Sequence, residues 1–106
     1  MALIYITEFA RFGRDYAGYE GPVAEQAPLA EQTVVNTGGS TQSAALNANT
    51  RLVRVHTDSI CSIAFGTNPT ATTGKMRMAA NTTEYFMVDA SQAAITPFKI
   101  AAILNT

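Results

Sequence analysis

Between Thr50 and Val88 short runs of alternating apolar and polar residues are closed, one after another, by turn formers. Val53, Val55 and Thr57 alternate with Arg54 and His56, which is the two-residue period of a strand with one wet face. Asp58 and Ser59 then turn the chain. Ile60 to Phe65 is apolar or small at nearly every position, so this strand is expected to be covered on both faces. Gly66, Asn68, Pro69 and Gly74 mark a loop from Gly66 to Gly74. Met76 and Met78, alternating with Lys75 and Arg77, form a short strand. Asn81, Thr82 and Thr83 turn into the aromatic and β-branched run Tyr85 to Val88. Strands separated by turns roughly every 8–12 residues are the pattern of a sandwich, barrel or jelly roll.

The flanks extend this pattern. In Leu3 to Phe9, Ile4 and Ile6 share one face while Leu3, Tyr5 and Thr7 share the other. Glu31 to Asn36 reads as a strand centred on Val34 and Val35, and Thr37-Gly38-Gly39-Ser40 as its turn. Gln42 to Leu46 continues as a strand, and Asn47 to Asn49 turn again. Asp89 to Ala94 reads as a loop, and Phe98 to Leu104 as the last strand, with Pro97 just ahead of it. The 106 residues are expected to form one domain, 1–106. Its expected fold is all-β, an antiparallel, jelly-roll-like sandwich of about seven or eight strands.

One segment departs from the pattern. Glu8 to Glu31 holds Gly13, Gly18, Gly21, Pro22 and Pro28, with Phe12, Tyr16 and Tyr19 among charges. No period fits it, so residues 8–31 are expected to form a long irregular N-terminal arm on the surface. Its aromatics argue against simple disorder. Phe9, Phe12, Tyr16 and Tyr19 are therefore the candidate partner-binding residues, expected to dock on the body or on a neighbour.

Charged residues make up only 14% of the chain and the net charge is −1, against a usual charged share of about 25%. Nucleic-acid binding needs clustered Lys and Arg, which this sequence lacks. A membrane-surface role is unsupported for the same reason. The apolar run Ala2–Ile6 is too short for a signal segment or a span, so synthesis in the cytoplasm is expected. From Gln32 to Thr50 there is no charged residue. Such uncharged stretches suit broad interfaces and lead us to expect a homo-oligomer, dimer or trimer, with contacts near them.

No set of residues spells out a reaction. His56 is the sole histidine, and a metal site wants two or three converging ligands. Cys61, the sole cysteine, follows Ile60 on an apolar strand, the setting of a buried, inert thiol. His56, Asp58 and Ser59 share the letters of a hydrolytic triad, but they are neighbours across one turn, whereas triads draw on separated segments. Gly38-Gly39-Ser40 lacks the lysine and helix of a phosphate loop. Asn81-Thr82-Thr83 matches a glycosylation acceptor and reads as a turn. No catalytic residue, cofactor or metal site is expected.

The central block resembles a module of small tailed-bacteriophage virion proteins. The residues that carry the resemblance are the strand Arg51–Val55, the Thr57-Asp58 turn and the strand Cys61–Gly66. Asn68-Pro69-Thr70-Ala71 and the block Met78 to Phe86 complete it. The resemblance implies a head decoration or cement protein, made in the host cytoplasm and carried on the virion, with the major capsid protein as partner. A head–tail connector or tail component is the alternative, and a carbohydrate-binding module, a use to which jelly rolls are put, comes third.

Overall fold

The computed structural model describes residues 2–10, 12–14, 20–24, 28–88 and 97–105, with side chains described for 3–10, 28–88 and 97–105. Its strands are β1 (Ala2–Phe9), β2 (Phe12–Arg14), β3 (Glu20–Ala24), β4 (Ala30–Asn36), β5 (Thr41–Gln42), β6 (Leu52–Thr57), β7 (Cys61–Gly66), β8 (Met76–Met78), β9 (Thr82–Met87) and β10 (Lys99–Leu104). No helix occurs among the described residues, and every strand pair is antiparallel. The all-β expectation therefore holds. One sheet has the order β4-β1-β6-β9 and the other β5-β10-β7-β8, while β2 and β3 pair only with each other. From β4 onward each step crosses from one sheet to the other, except that from β7 to β8.

Alternation decides which way each strand faces. Ile4 and Ile6 of β1, Val34 of β4, and Val53 and Val55 of β6 are buried together with Cys61, Ile63, Met78, Ile100 and Ala102 of the second sheet. Leu46 and Phe98 complete the same cluster, so both sheets bury their inner faces in one core. Burying each large side chain contributes about 1.5–3 kcal/mol. Phe65 of β7 meets Phe86 of β9 edge-on, with ring centres 5.1 Å apart, and lies 6.0 Å from Phe98. This aromatic contact bridges the two sheets at one margin.

The second sheet is also covered on its outer side. The loop after β7 is tied along it. Gln42 Nε2 donates to Asn68 Oδ1 (2.8 Å) and to the Pro69 carbonyl (2.9 Å). Ala71 N donates to Ser40 Oγ (2.8 Å), and Asn105 Nδ2 to Ser62 Oγ (2.8 Å) and the Thr73 carbonyl (3.2 Å). Ser62 and Ala101 point away from the core, yet both are fully buried. Cys61, Ser62 and Ile63 are thus buried in succession, as the near-continuous apolar run predicts.

Three expectations are corrected. Gln42 to Leu46 does not continue as a strand; only Thr41–Gln42 pairs in the ladder with β10. The reason is Ser43, whose Oγ accepts the Ile100 N–H (3.0 Å) while its own N–H donates to the Ile100 carbonyl (2.7 Å). A side-chain hydroxyl has taken the place of a backbone acceptor. At the other hairpin β9 begins at Thr82, within the expected turn. Asn81 alone takes the left-handed conformation (φ 57°), which asparagine tolerates, and Thr82 Oγ1 bonds back to the Ala79 carbonyl (2.6 Å).

The third correction concerns residues 8–31, expected to be irregular. Glu8 and Phe9 belong to β1, and Ala30 and Glu31 to β4. Between them β2 and β3 form an antiparallel ribbon whose register shifts between Phe12 and Arg14. A two-stranded ribbon leaves each strand one free edge, so Pro22 need not donate to a ladder. Tyr16 and Tyr19 lie outside the described residues, and Phe12 is described by its backbone alone.

Cys61 yields a prediction. It is fully buried, its Sγ lies 3.5 Å from Thr57 Oγ1, and burial, above all, raises its pKa. In the native protein it should therefore label with a thiol reagent far more slowly than in the denatured chain. The sign for stability follows. The unfolded thiol ionises from about pH 8.5 while the folded one stays protonated, so stability should fall as the pH rises past that point. Labelling of the native protein at the denatured rate would contradict this.

Candidate functional site

The outer face of the first sheet carries no such loop among the described residues, although Phe9 and Leu52 are buried at one end of it. Cross-strand register places Thr33, Tyr5, His56 and Thr83 in one row across β4, β1, β6 and β9. The next row is Glu31, Thr7, Arg54 and Tyr85. Val35 lies beside Leu3 at one end, and Met87 beside Leu52 at the other. Tyr5, Val35, Tyr85 and Met87 are all exposed, Met87 to 66%. Single exposed apolar side chains need no explanation, whereas a group on one sheet face marks an interaction surface.

The middle of the face is hollowed. Tyr5, Thr7, Glu31, Thr33, Arg54 and His56 line an open depression of about 620 Å³. His56 Nδ1 lies 2.7 Å from Thr83 Oγ1, and its ring centre lies 6.1 Å from that of Tyr5. These contacts fix the imidazole against the sheet. The site offers ring faces, hydroxyls, one carboxylate and one guanidinium on a rigid ladder, a surface suited to recognition by area and hydrogen bonding.

Phe9 also points to this side of β1. It pairs with Leu52, and the two form a small buried cluster separate from the main core. Phe9 is therefore buried, while Tyr16, Tyr19 and the side chain of Phe12 lie outside the described residues.

The triad letters are not assembled. His56 bonds Thr83 on the outer face, while Asp58 Oδ1 accepts the Leu3 N–H (2.8 Å) and the Ser59 hydroxyl (3.2 Å). Both of the latter bonds lock the turn after β6. Cys61 sits in the core, on the opposite side of the first sheet from His56. Among the described residues no three His, Cys, Asp or Glu side chains gather as a metal site. No helix among them is long and apolar enough to cross a membrane.

The alternation of β1 and β6 assigns Tyr5, Arg54 and His56 to the wet face from sequence. It does not show that β4 and β9 flank them and extend the face with Val35, Tyr85 and Met87. Comparison with known protein families, characterised proteins and solved structures gives no match. Fold and site together define an all-β protein of two antiparallel sheets, with one outer face covered by its own loop and the other largely open among the described residues.

Proposed function

We propose that the chain is a structural binding protein, a jelly-roll-like sandwich that docks through the open face of β4-β1-β6-β9 on a larger protein shell. The observation that carries this reading is the asymmetry of the two outer faces. The fold covers one with its own loop 67–75 and leaves Tyr5, Val35, Tyr85 and Met87 exposed on the other. The jelly-roll form is supported by the strand order and by the repeated crossing between sheets, which two Greek keys wound over a sandwich would produce.

The resemblance of the Arg51 to Phe86 block to phage virion proteins supports a capsid decoration or cement role. Such a protein adds contact area across subunit boundaries of the major capsid protein, and shell symmetry multiplies each contact. Phe12, Tyr16 and Tyr19 are further candidate contacts. A connector or tail component would use the same face, at one ring of copies rather than over the whole shell. A carbohydrate-binding role is favoured by one observation, the depression in which Tyr5 lies beside the polar groups of Arg54, Glu31 and His56. Specific binding on a glycan array would support it.

The test is co-sedimentation of the chain with purified virions that carry it. Tyr5→Glu combined with Val35→Glu places charge on the open face without touching the core. Loss of a buried anchor of about 2 kcal/mol weakens binding roughly 30-fold, and retention should fall accordingly. Unchanged retention would remove the open face as the docking surface.

A further inference from the structure

We propose that the outer edge of β9 pairs with β9 of a second copy of this chain, joining two open faces into one continuous sheet. The phase of the ladder carries the inference. Asp58 N donates to the Leu3 carbonyl (3.2 Å) and Val88 N to the Arg51 carbonyl (2.9 Å). In an antiparallel ladder hydrogen-bonded and non-bonded pairs alternate. The bonded pairs between β6 and β9 are therefore Val53 with Phe86, Val55 with Glu84 and Thr57 with Thr82. The backbone N–H and C=O groups of Thr83, Tyr85 and Met87 point the other way, to the edge, where among the described residues no strand pairs with them.

The other edges of the two four-stranded sheets are short or have the chain close beside them. β5 and β8 are 2 and 3 residues long. Beside β4 runs the chain's own segment around Ala44, whose N–H donates to Gln32 Oε1 (2.9 Å). β9 runs for 6 residues, with no proline, no lysine and no bulge, the devices that usually blunt an edge.

One register pairs all three of these outward-facing residues, Thr83, Tyr85 and Met87, with each other. A two-fold axis at Tyr85 sets Tyr85 opposite Tyr85 of the second copy and Thr83 opposite its Met87. Each of these pairs joins residues whose backbone groups already face outward, so every pair exchanges both of its hydrogen bonds. The charge pattern agrees. Glu84, the only charged residue of β9, falls opposite Phe86 of the second copy rather than opposite its own counterpart, and like charges directly opposed would be unfavourable. An axis at Glu84 would bring the two carboxylates directly opposite each other and set Met87 opposite Asn81, outside β9. The contact is isologous, as closed dimers require. It places self-association at β9 rather than along the uncharged stretch Gln32–Thr50, and it holds whatever shell the open face binds.

Sedimentation velocity and interface cross-linking test it. At protein concentrations on the order of 100 μM the wild-type chain should sediment as a dimer. Tyr85→Pro removes an N–H that β6 does not use, so the variant should keep its far-UV spectrum and sediment as a monomer. Tyr85→Cys should oxidise to a covalent dimer, whereas Glu84→Cys, offset from its counterpart, should not. A monomeric wild type, or a dimer that survives Tyr85→Pro, would overturn the proposal. So would equal cross-linking by the two cysteine variants. A monomer that instead captures an extended segment of another protein at this edge would overturn the choice of occupant.

Discussion

Asn36→Leu is expected to destabilise the fold by about 3–5 kcal/mol, a large part of the roughly 5–15 kcal/mol that holds a domain of this kind together. Asn36 is fully buried at the end of β4. Its Nδ2 lies within hydrogen-bonding distance of the carbonyls of Gly39 (2.7 Å) and Ala102 (2.8 Å), and of Thr41 Oγ1 (3.0 Å). Its Oδ1 accepts from the N–H groups of Gly38 (3.3 Å) and Leu104 (3.1 Å). One amide thus fastens the Gly38-Gly39 turn, the start of β5 and the last strand of the opposite sheet. Leucine keeps the branched shape but satisfies none of these groups, so the Leu104 N–H would lose its acceptor and the Ala102 carbonyl one of its donors. Asn36→Asp keeps the acceptor and loses the donor, so it should cost a comparable amount by setting a carboxylate against carbonyl oxygens. Urea titration measures both. A loss under about 1 kcal/mol for Asn36→Leu would show that the amide fills space rather than ties the sheets.

The sequence marks this residue only by phase. Val34 and Asn36 share a parity, so an inward-facing Val34 commits Asn36 to the core. What sequence cannot show is that β10, over sixty residues away, arrives there with a carbonyl and an N–H to be satisfied. The same division runs through the molecule. Alternation separates the two faces of β1, β6 and β10, because those faces are set by local period, whereas the adjacent Val34 and Val35 leave the inward face of β4 to the fold. Nor does alternation show that β1 lies between β4 and β6, since pairing depends on partners far along the chain. Ser43 defeats the strand expected over Gln42–Leu46, because its hydroxyl competes for one particular N–H of β10.

The open face was legible in the same partial way. Tyr5, Arg54 and His56 are assigned to solvent by their own strands. That this is the exposed side of the molecule depends on the loop 67–75, which covers the equivalent side of the other sheet. The loop's residues bear no pattern that foretells it. Gln42, Ser40 and Asn105 are ordinary polar residues in the sequence, and only the fold makes them the anchors. Composition groups Phe9 with Phe12, Tyr16 and Tyr19, yet it lies in phase with Tyr5 and Thr7 and is buried against Leu52.

Glu8 carries the second large prediction. It is in phase with Ile4 and Ile6 and just as deeply buried, with 2% of its surface exposed. A carboxylate there must be hydrogen-bonded or it would be severely unfavourable. Its Oε1 accepts the Asn47 N–H (2.6 Å) and the Thr50 hydroxyl (2.8 Å), while its own carbonyl accepts the Leu29 N–H (2.7 Å). Asn47 in turn organises the turn, its Oδ1 accepting from Asn49 N (2.8 Å) and its carbonyl from Thr50 N (3.0 Å). Glu8 therefore holds the corner where the chain leaves the second sheet and enters β6, the strand at the middle of the first. Glu8→Ala strips the acceptor from two donors, one of them on a fully buried threonine, and should cost about 2–4 kcal/mol. Glu8→Gln keeps one acceptor oxygen and should lose about half as much. The loss should be local before it is global. Amide exchange at Asn47 and Thr50 should accelerate in Glu8→Ala while that of Ile6 and Val55, deep in the ladder, follows only the overall loss of stability. Unchanged exchange at Asn47 and Thr50 would mean that the corner is held by its own asparagine turn, with the carboxylate an accessory to it.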